Sequence, residues 1–207
     1  MKVAPRVCKK GVMKIRLFIL ASLVISSSIW AGPFEDGVSA YNRKDFAEAS
    51  KLFRLAAAQG LAEAQVNLGW MYSLGQGVVQ DFSEAVKWYR LAAEQGNAQA
   101  QVSLGVRYFK GEGVVQDYAE ALKWYRLAAA QGARDAQFNL GLMYKNGQGV
   151  AQDDIRAHMW LNLASWSGDT DAANNLILVA SKMTPQRKAE AQKLEQDCRA
   201  RDFKGCN

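Results

Sequence analysis

Few side chains here have the chemistry of a reactive centre. His158 is the only histidine of the 207 residues. It stands beside Trp160 and three positions before Leu161, a spacing that suits a packed helical position. A general base would need a proton donor or acceptor within hydrogen-bond reach, and no neighbouring motif supplies one. The cysteines are Cys8, Cys198 and Cys206. One histidine and so few thiols make no ligand set with the spacing of a metal site, so neither metal nor cofactor is expected. The pairs Gly75-Gln76-Gly77, Gly111-Glu112-Gly113 and Gly147-Gln148-Gly149 superficially resemble phosphate loops. With no strand before them and no lysine after, they are turn devices. No serine sits in a nucleophile elbow. The chain is read as a non-enzyme, without catalytic residues or a small-molecule substrate.

Charge narrows the partner class. Lys and Arg number 26 against 20 Asp and Glu, a formal net charge of +6. Six of those cations (Lys2, Arg6, Lys9, Lys10, Lys14 and Arg16) precede position 32, where no acid occurs, which leaves 20 against 20 in the body. A neutral body has no broad attraction for polyphosphate, so no nucleic-acid partner is expected. The cationic stretch followed by an apolar run from Leu17 to Ile29 reads as a secretory signal over residues 1–31, cleaved after Ala31 before a turn at Gly32-Pro33. Met13 is an alternative start that leaves a compact signal. The apolar run falls short of the roughly 20 residues needed to span a bilayer, so the mature chain is expected to lack a membrane span and to be periplasmic or secreted. In such a compartment disulfides persist, and Cys198 is predicted to pair with Cys206.

The elements that position these residues follow from a 36-residue period. Residues 61–96 and 97–132 align without gaps at 24 of 36 positions, and 133–168 keep the frame while diverging in their second half. In each unit Ala64, Leu68 and Tyr72, or their equivalents, make one apolar stripe beside Gly69, Gly105 or Gly141, a residue that lets another helix approach closely. Ala85, Trp88, Tyr89 and Ala92 make a second stripe, with the aromatic pair expected in the core. Asp81 with Glu84, Asp117 with Glu120 and Asp45 with Glu48 have N-cap and N3 spacing. Each unit is therefore a pair of antiparallel helices that cannot cover both faces alone. The units must stack into an all-α, right-handed α-solenoid. Residues 32–60 read as a tetratricopeptide-like opening unit with a shorter loop. Residues 169–207 read as capping helices with a disulfide-closed tail, the last helix starting at Thr184-Pro185 and lying toward solvent.

The run from Ala64 to Gly96, repeated from Ala100 to Gly132, resembles the Sel-1-like repeat, a branch of the tetratricopeptide superfamily. Two departures fall in the third unit, where Arg156 replaces the capping Glu and Leu161 the Tyr, and that helix is expected to be weaker or turned toward the cap. The resemblance implies an adaptor that binds a protein or peptide partner, often in the bacterial envelope. Some cysteine-rich relatives are described as penicillin-binding or weak β-lactamases, but their defining per-repeat disulfides have no counterpart here. In this superfamily ligands lie along the concave face of the first helices. That places a candidate groove at Asn67, Trp70, Ser73 and Leu74, then Ser103, Val106, Phe109 and Lys110, then Asn139, Leu142, Lys145 and Asn146. These positions differ between units while the scaffold stays fixed. Peptide reading and unconstrained solvent-facing drift both produce such variation; the aromatics Trp70 and Phe109 favour reading. A passive spacer in an envelope assembly is the competing role.

Overall fold

A computed structural model describes residues 28–166 and 168–206, the side chains from Gly32 onward. The expected leader lies outside these residues up to position 27. Ten helices and no strand are present among the described residues: α1 (Ser28–Asn42), α2 (Phe46–Ala58), α3 (Ala62–Leu74), α4 (Phe82–Glu94), α5 (Ala98–Lys110), α6 (Tyr118–Ala129), α7 (Arg134–Asn146), α8 (Asp154–Ser165), α9 (Thr170–Ala180) and α10 (Pro185–Ala200). Each helix up to α9 packs on its neighbours in chain order, as an all-α solenoid requires. The expected turn at Gly32-Pro33 is not found. Both residues lie inside α1.

Local chemistry sets the helix ends. Asp81 accepts from the amides of Ser83 and Glu84 at 2.8 and 3.0 Å, and Asp117 from Ala119 and Glu120 at 2.9 and 3.0 Å. Among these caps the acid three residues on does not reach back. Glu84 pairs with Lys87 and Glu120 with Lys123 instead. In the third unit Asp153 accepts from the amides of Ile155 and Arg156, and the Arg156 guanidinium binds its second oxygen at 2.5 Å. Arg156 thus adds a second partner to this N-cap, and of the two expectations for α8, weaker or turned toward the capping helices, its packing against α10 fits the second. Burial works against the charge on Asp153, yet these donors hold its carboxyl below the ordinary value.

The close-approach glycines meet the second helix of their own unit. A Cβ at Gly69 would lie 2.8 Å from the Tyr89 ring, at Gly105 2.6 Å from Tyr125, and at Gly141 2.6 Å from Leu161. Leu161 replaces the tyrosine and is fully buried. Gly77 has a different duty. It turns the chain at φ 68°, and a Cβ there would come within 1.9 Å of the Phe46 carbonyl oxygen in the preceding unit. Gly113 and Gly149 abut the backbones of Phe82 and Tyr118 in the same way.

Polar rungs join one unit to the next. Arg54 donates to the Tyr72 hydroxyl, Arg90 to Tyr108 and Arg126 to Tyr144, at 2.6, 2.6 and 2.7 Å. Buried Gln65 and Gln101 donate to the carbonyls of Ala57 and Ala93, and Gln95 and Gln131 donate in turn to those two glutamines. The aromatic pair is split rather than jointly buried in the first unit: Tyr89 is 1% exposed, whereas Trp88 is only half-buried.

Helix α10 departs from the stacking order. Its main neighbour is α8, so it folds over the back of the third unit instead of closing the end. Asn162, which stands where Arg90 and Arg126 stand, donates to Glu195 at 2.8 Å. Lys87 and Lys123 become Met159, fully buried, and the half-exposed Leu91 and Leu127 become Leu163, 7% exposed. Cys198 and Cys206 form a disulfide with Cα atoms 5.2 Å apart, and Phe203 of the tail reaches the turn at Gly132. The helix expected to face solvent as a charged cap therefore has a buried side made of Ala191, Glu195 and Cys198.

Candidate interaction groove

The first helices of successive units, α1, α3 and α5, line a pocket of about 330 Å³ together with Phe53 of α2. Its walls are Val38 and Tyr41, then Val66, Asn67 and Trp70, then Gln99 and Ser103. Three of the predicted groove residues meet here: Asn67, Trp70 and Ser103. Trp70 keeps 48% of its surface exposed. Tyr41 donates to Gln76, which fixes its ring beside the opening. Leu74 stands just beyond, also exposed.

The other predicted positions divide. Ser73 is buried, donates to the Gly69 carbonyl at 2.9 Å and lies 3.2 Å from the Tyr89 hydroxyl, so it serves packing and not the groove. Phe109 is no exposed anchor. Its ring lies 5.2 Å from that of Tyr118 and packs on the core, as do Val106 and Leu142. Asn139 donates to the Asp135 carbonyl, Lys145 to Asn175, and Asn146 to Gln148. Lys110 is exposed. The pocket thus takes in only N-terminal positions of the candidate groove. Val38, Tyr41, Phe53, Val66 and Gln99 were missed because three of them belong to the opening unit, where the shorter loop breaks the 36-residue frame. Val66 carried a signal, the i and i+4 spacing to Trp70.

The residues that could have done chemistry are placed by packing. His158 is 7% exposed on α8, and its Nδ1 has no hydrogen-bond partner among the described residues. Burial, then the nearby charge of Lys188, pull its pKa below the ordinary value, while Glu195 opposes them. It faces α10, far from the pocket in the fold. Burial pushes the Tyr89 and Tyr125 hydroxyls up, so both stay protonated. Among the described residues no group of histidine, cysteine and acidic side chains is placed to hold a metal. None of their helices is long and apolar enough to cross a membrane.

A family model described as the Sel1 repeat matches residues 36–61, 62–97, 98–132 and 134–169. The first match falls on the unit with the short loop. Among solved structures, a protective antigen present in uropathogenic Escherichia coli strains and displaying an SLR fold is 36% identical with a TM-score of 0.73. That similarity covers 83% of this chain and 38% of the antigen's. A Sel1 repeat protein from Oxalobacter formigenes is 32% identical with a TM-score of 0.68, over 82% of this chain and 76% of the other. No curated protein matches the chain.

Proposed function

The chain belongs to the Sel1 repeat family, and from that premise we propose that it is a non-catalytic, exported scaffold that holds a segment of a protein partner in the pocket between α1, α3 and α5. Repeats of this family generally mediate protein–protein interaction. The observation that carries the reading is Trp70, an aromatic held half-exposed at the mouth of a pocket with apolar walls and a few polar groups. Covering its open surface would contribute about 2–3 kcal/mol. Asn67, Gln99 and Ser103 offer donors and acceptors to the backbone of an extended segment. Export is proposed from the cationic and apolar leader, and the Cys198–Cys206 disulfide suits an oxidising compartment.

A photo-crosslinker at position 103 tests the reading in envelope extract. The expected result is one dominant adduct, lost with Trp70→Ala while the thermal midpoint is unchanged. Adducts formed only from probes at the chain ends would instead make the solenoid a spacer. Purified chain is expected to leave nitrocefin intact, and steady hydrolysis would overturn the non-catalytic part. N-terminal sequencing of periplasmic material is expected to begin at Gly32.

A further inference from the structure

We propose that α9 is a self-association surface through which two copies of this chain pair antiparallel. Helix α9 follows α8 as a first-type helix, but no second helix covers it, because α10 turns back over α8. Its exposed residues include Asp171, Asn174, Ile177 and Leu178, followed by the exposed C-cap Ser181 and by Lys182 in the turn beyond. At 3.6 residues per turn Asp171, Asn174, Ile177, Leu178 and the capping Ser181 fall within one arc of roughly 120°. Ile177 and Leu178, in the middle, are 66% and 55% exposed.

The sequence excludes the obvious occupant. Ile177 stands where the other first helices carry Gly69, Gly105 and Gly141, and a Cβ at those glycines would fall 2.6–2.8 Å from the covering second helix. A second helix of the repeat's kind therefore cannot close on α9 at the usual short distance, and a partner must seat at ordinary helix–helix distance. The charges select which. Asp171, in the first turn, and Lys182, in the turn just past the C-cap, lie at opposite ends of the face, and neither is in an ion pair among the described residues. A second α9 related by a twofold axis between positions 176 and 177 sets Asp171 against Lys182 of the other copy, twice, and gathers Ile177 and Leu178 of both copies about the axis. Such a self-complementary patch is what an isologous dimer needs. The pocket near Trp70 lies at the other end of the stack and stays open. One short helix offers less than the area of a standard stable interface, so the pairing is a weak one.

Sedimentation equilibrium of the purified full chain, from about 10 to 500 µM in low salt, reads the pairing as a mass that rises toward twice the monomer. Asp171→Lys and Lys182→Asp each set like charges together at two places and are expected to weaken association about tenfold. The doubly swapped D171K/K182D chain is expected to recover it. Ile177→Asp is expected to abolish it, with the helical dichroism unchanged. A monomer at every concentration overturns the proposal. So does a dimer indifferent to the single swaps, or one that the double swap fails to restore.

Discussion

The units at 61–96 and 133–168 share one frame, yet the outer side of their second helices meets different surroundings. In the first, α4 shows Lys87 and Leu91 to solvent and sends Arg90 to the next unit's Tyr108. In the third, α8 lies under α10, and the same three positions hold Met159, Leu163 and Asn162, the first two buried and the third bonded to Glu195. Departures from the repeat are therefore not decay. They record where the neighbour of a helix changes, and they make α8 a core element while α4 stays a surface one.

That contrast can be broken most sharply at the tryptophans. Trp160 is 2% exposed, so Trp160→Ala is expected to cost about 3–5 kcal/mol, and the half-buried Trp88 less when cut the same way. Urea unfolding of the two variants checks the order, and equal losses would erase the distinction between covered and open units. Opening the tail comes next. Cys206→Ser is expected to cost about 2–3 kcal/mol, with hydrogen exchange rising in α10 and residues 201–206 but not in α3 through α6. The caps separate the units by a smaller margin. Asp117→Ala should cost about 1 kcal/mol and Asp153→Ala up to about 2, because the second change also strips the partner of Arg156. Thermal melts of the pair give the difference directly.

The smallest effect distinguishes the two regions by pH. His158 is neutral when folded because burial and Lys188 lower its pKa, so the unfolded chain takes up the proton first as pH falls. Its share of stability is whole above the ordinary imidazole value of 6.5 and is lost as pH drops toward the lowered folded value. Hydrogen-exchange protection at α8 and α10, taken relative to the intrinsic rate at each pH, is expected to fall between pH 7 and 5, and His158→Gln to flatten that response. An equal response in α4 would locate the titration elsewhere.

What the sequence made legible follows from the period. Recurrence of Gly105, Asp117 and Gly111 every 36 residues exposes the helix pairs, their caps and their turns without any knowledge of neighbours. Of the candidate groove positions only Asn67, Trp70 and Ser103 line the pocket, and Ser103 does so while its hydroxyl also meets that of Tyr89. Ser73 and Phe109 vary just as freely but are taken up by Tyr89 and Tyr118, contacts that a one-dimensional pattern does not contain. The seat of α10 was hidden for a related reason. Its buried side is Ala191, Glu195 and Cys198, too little apolar character to mark a face, and the helix it covers is not the one before it in the chain.

The three loop glycines that touch a preceding backbone carry one more implication. Where Gly77, Gly113 and Gly149 rest against the peptide groups of Phe46, Phe82 and Tyr118, the loop residue itself brings no side chain that could compress or change rotamer. A push along that edge meets peptide on peptide at every junction. The array should respond as a stiff rod and not as a spring, so that a displacement imposed at one end is handed on to the other nearly undiminished.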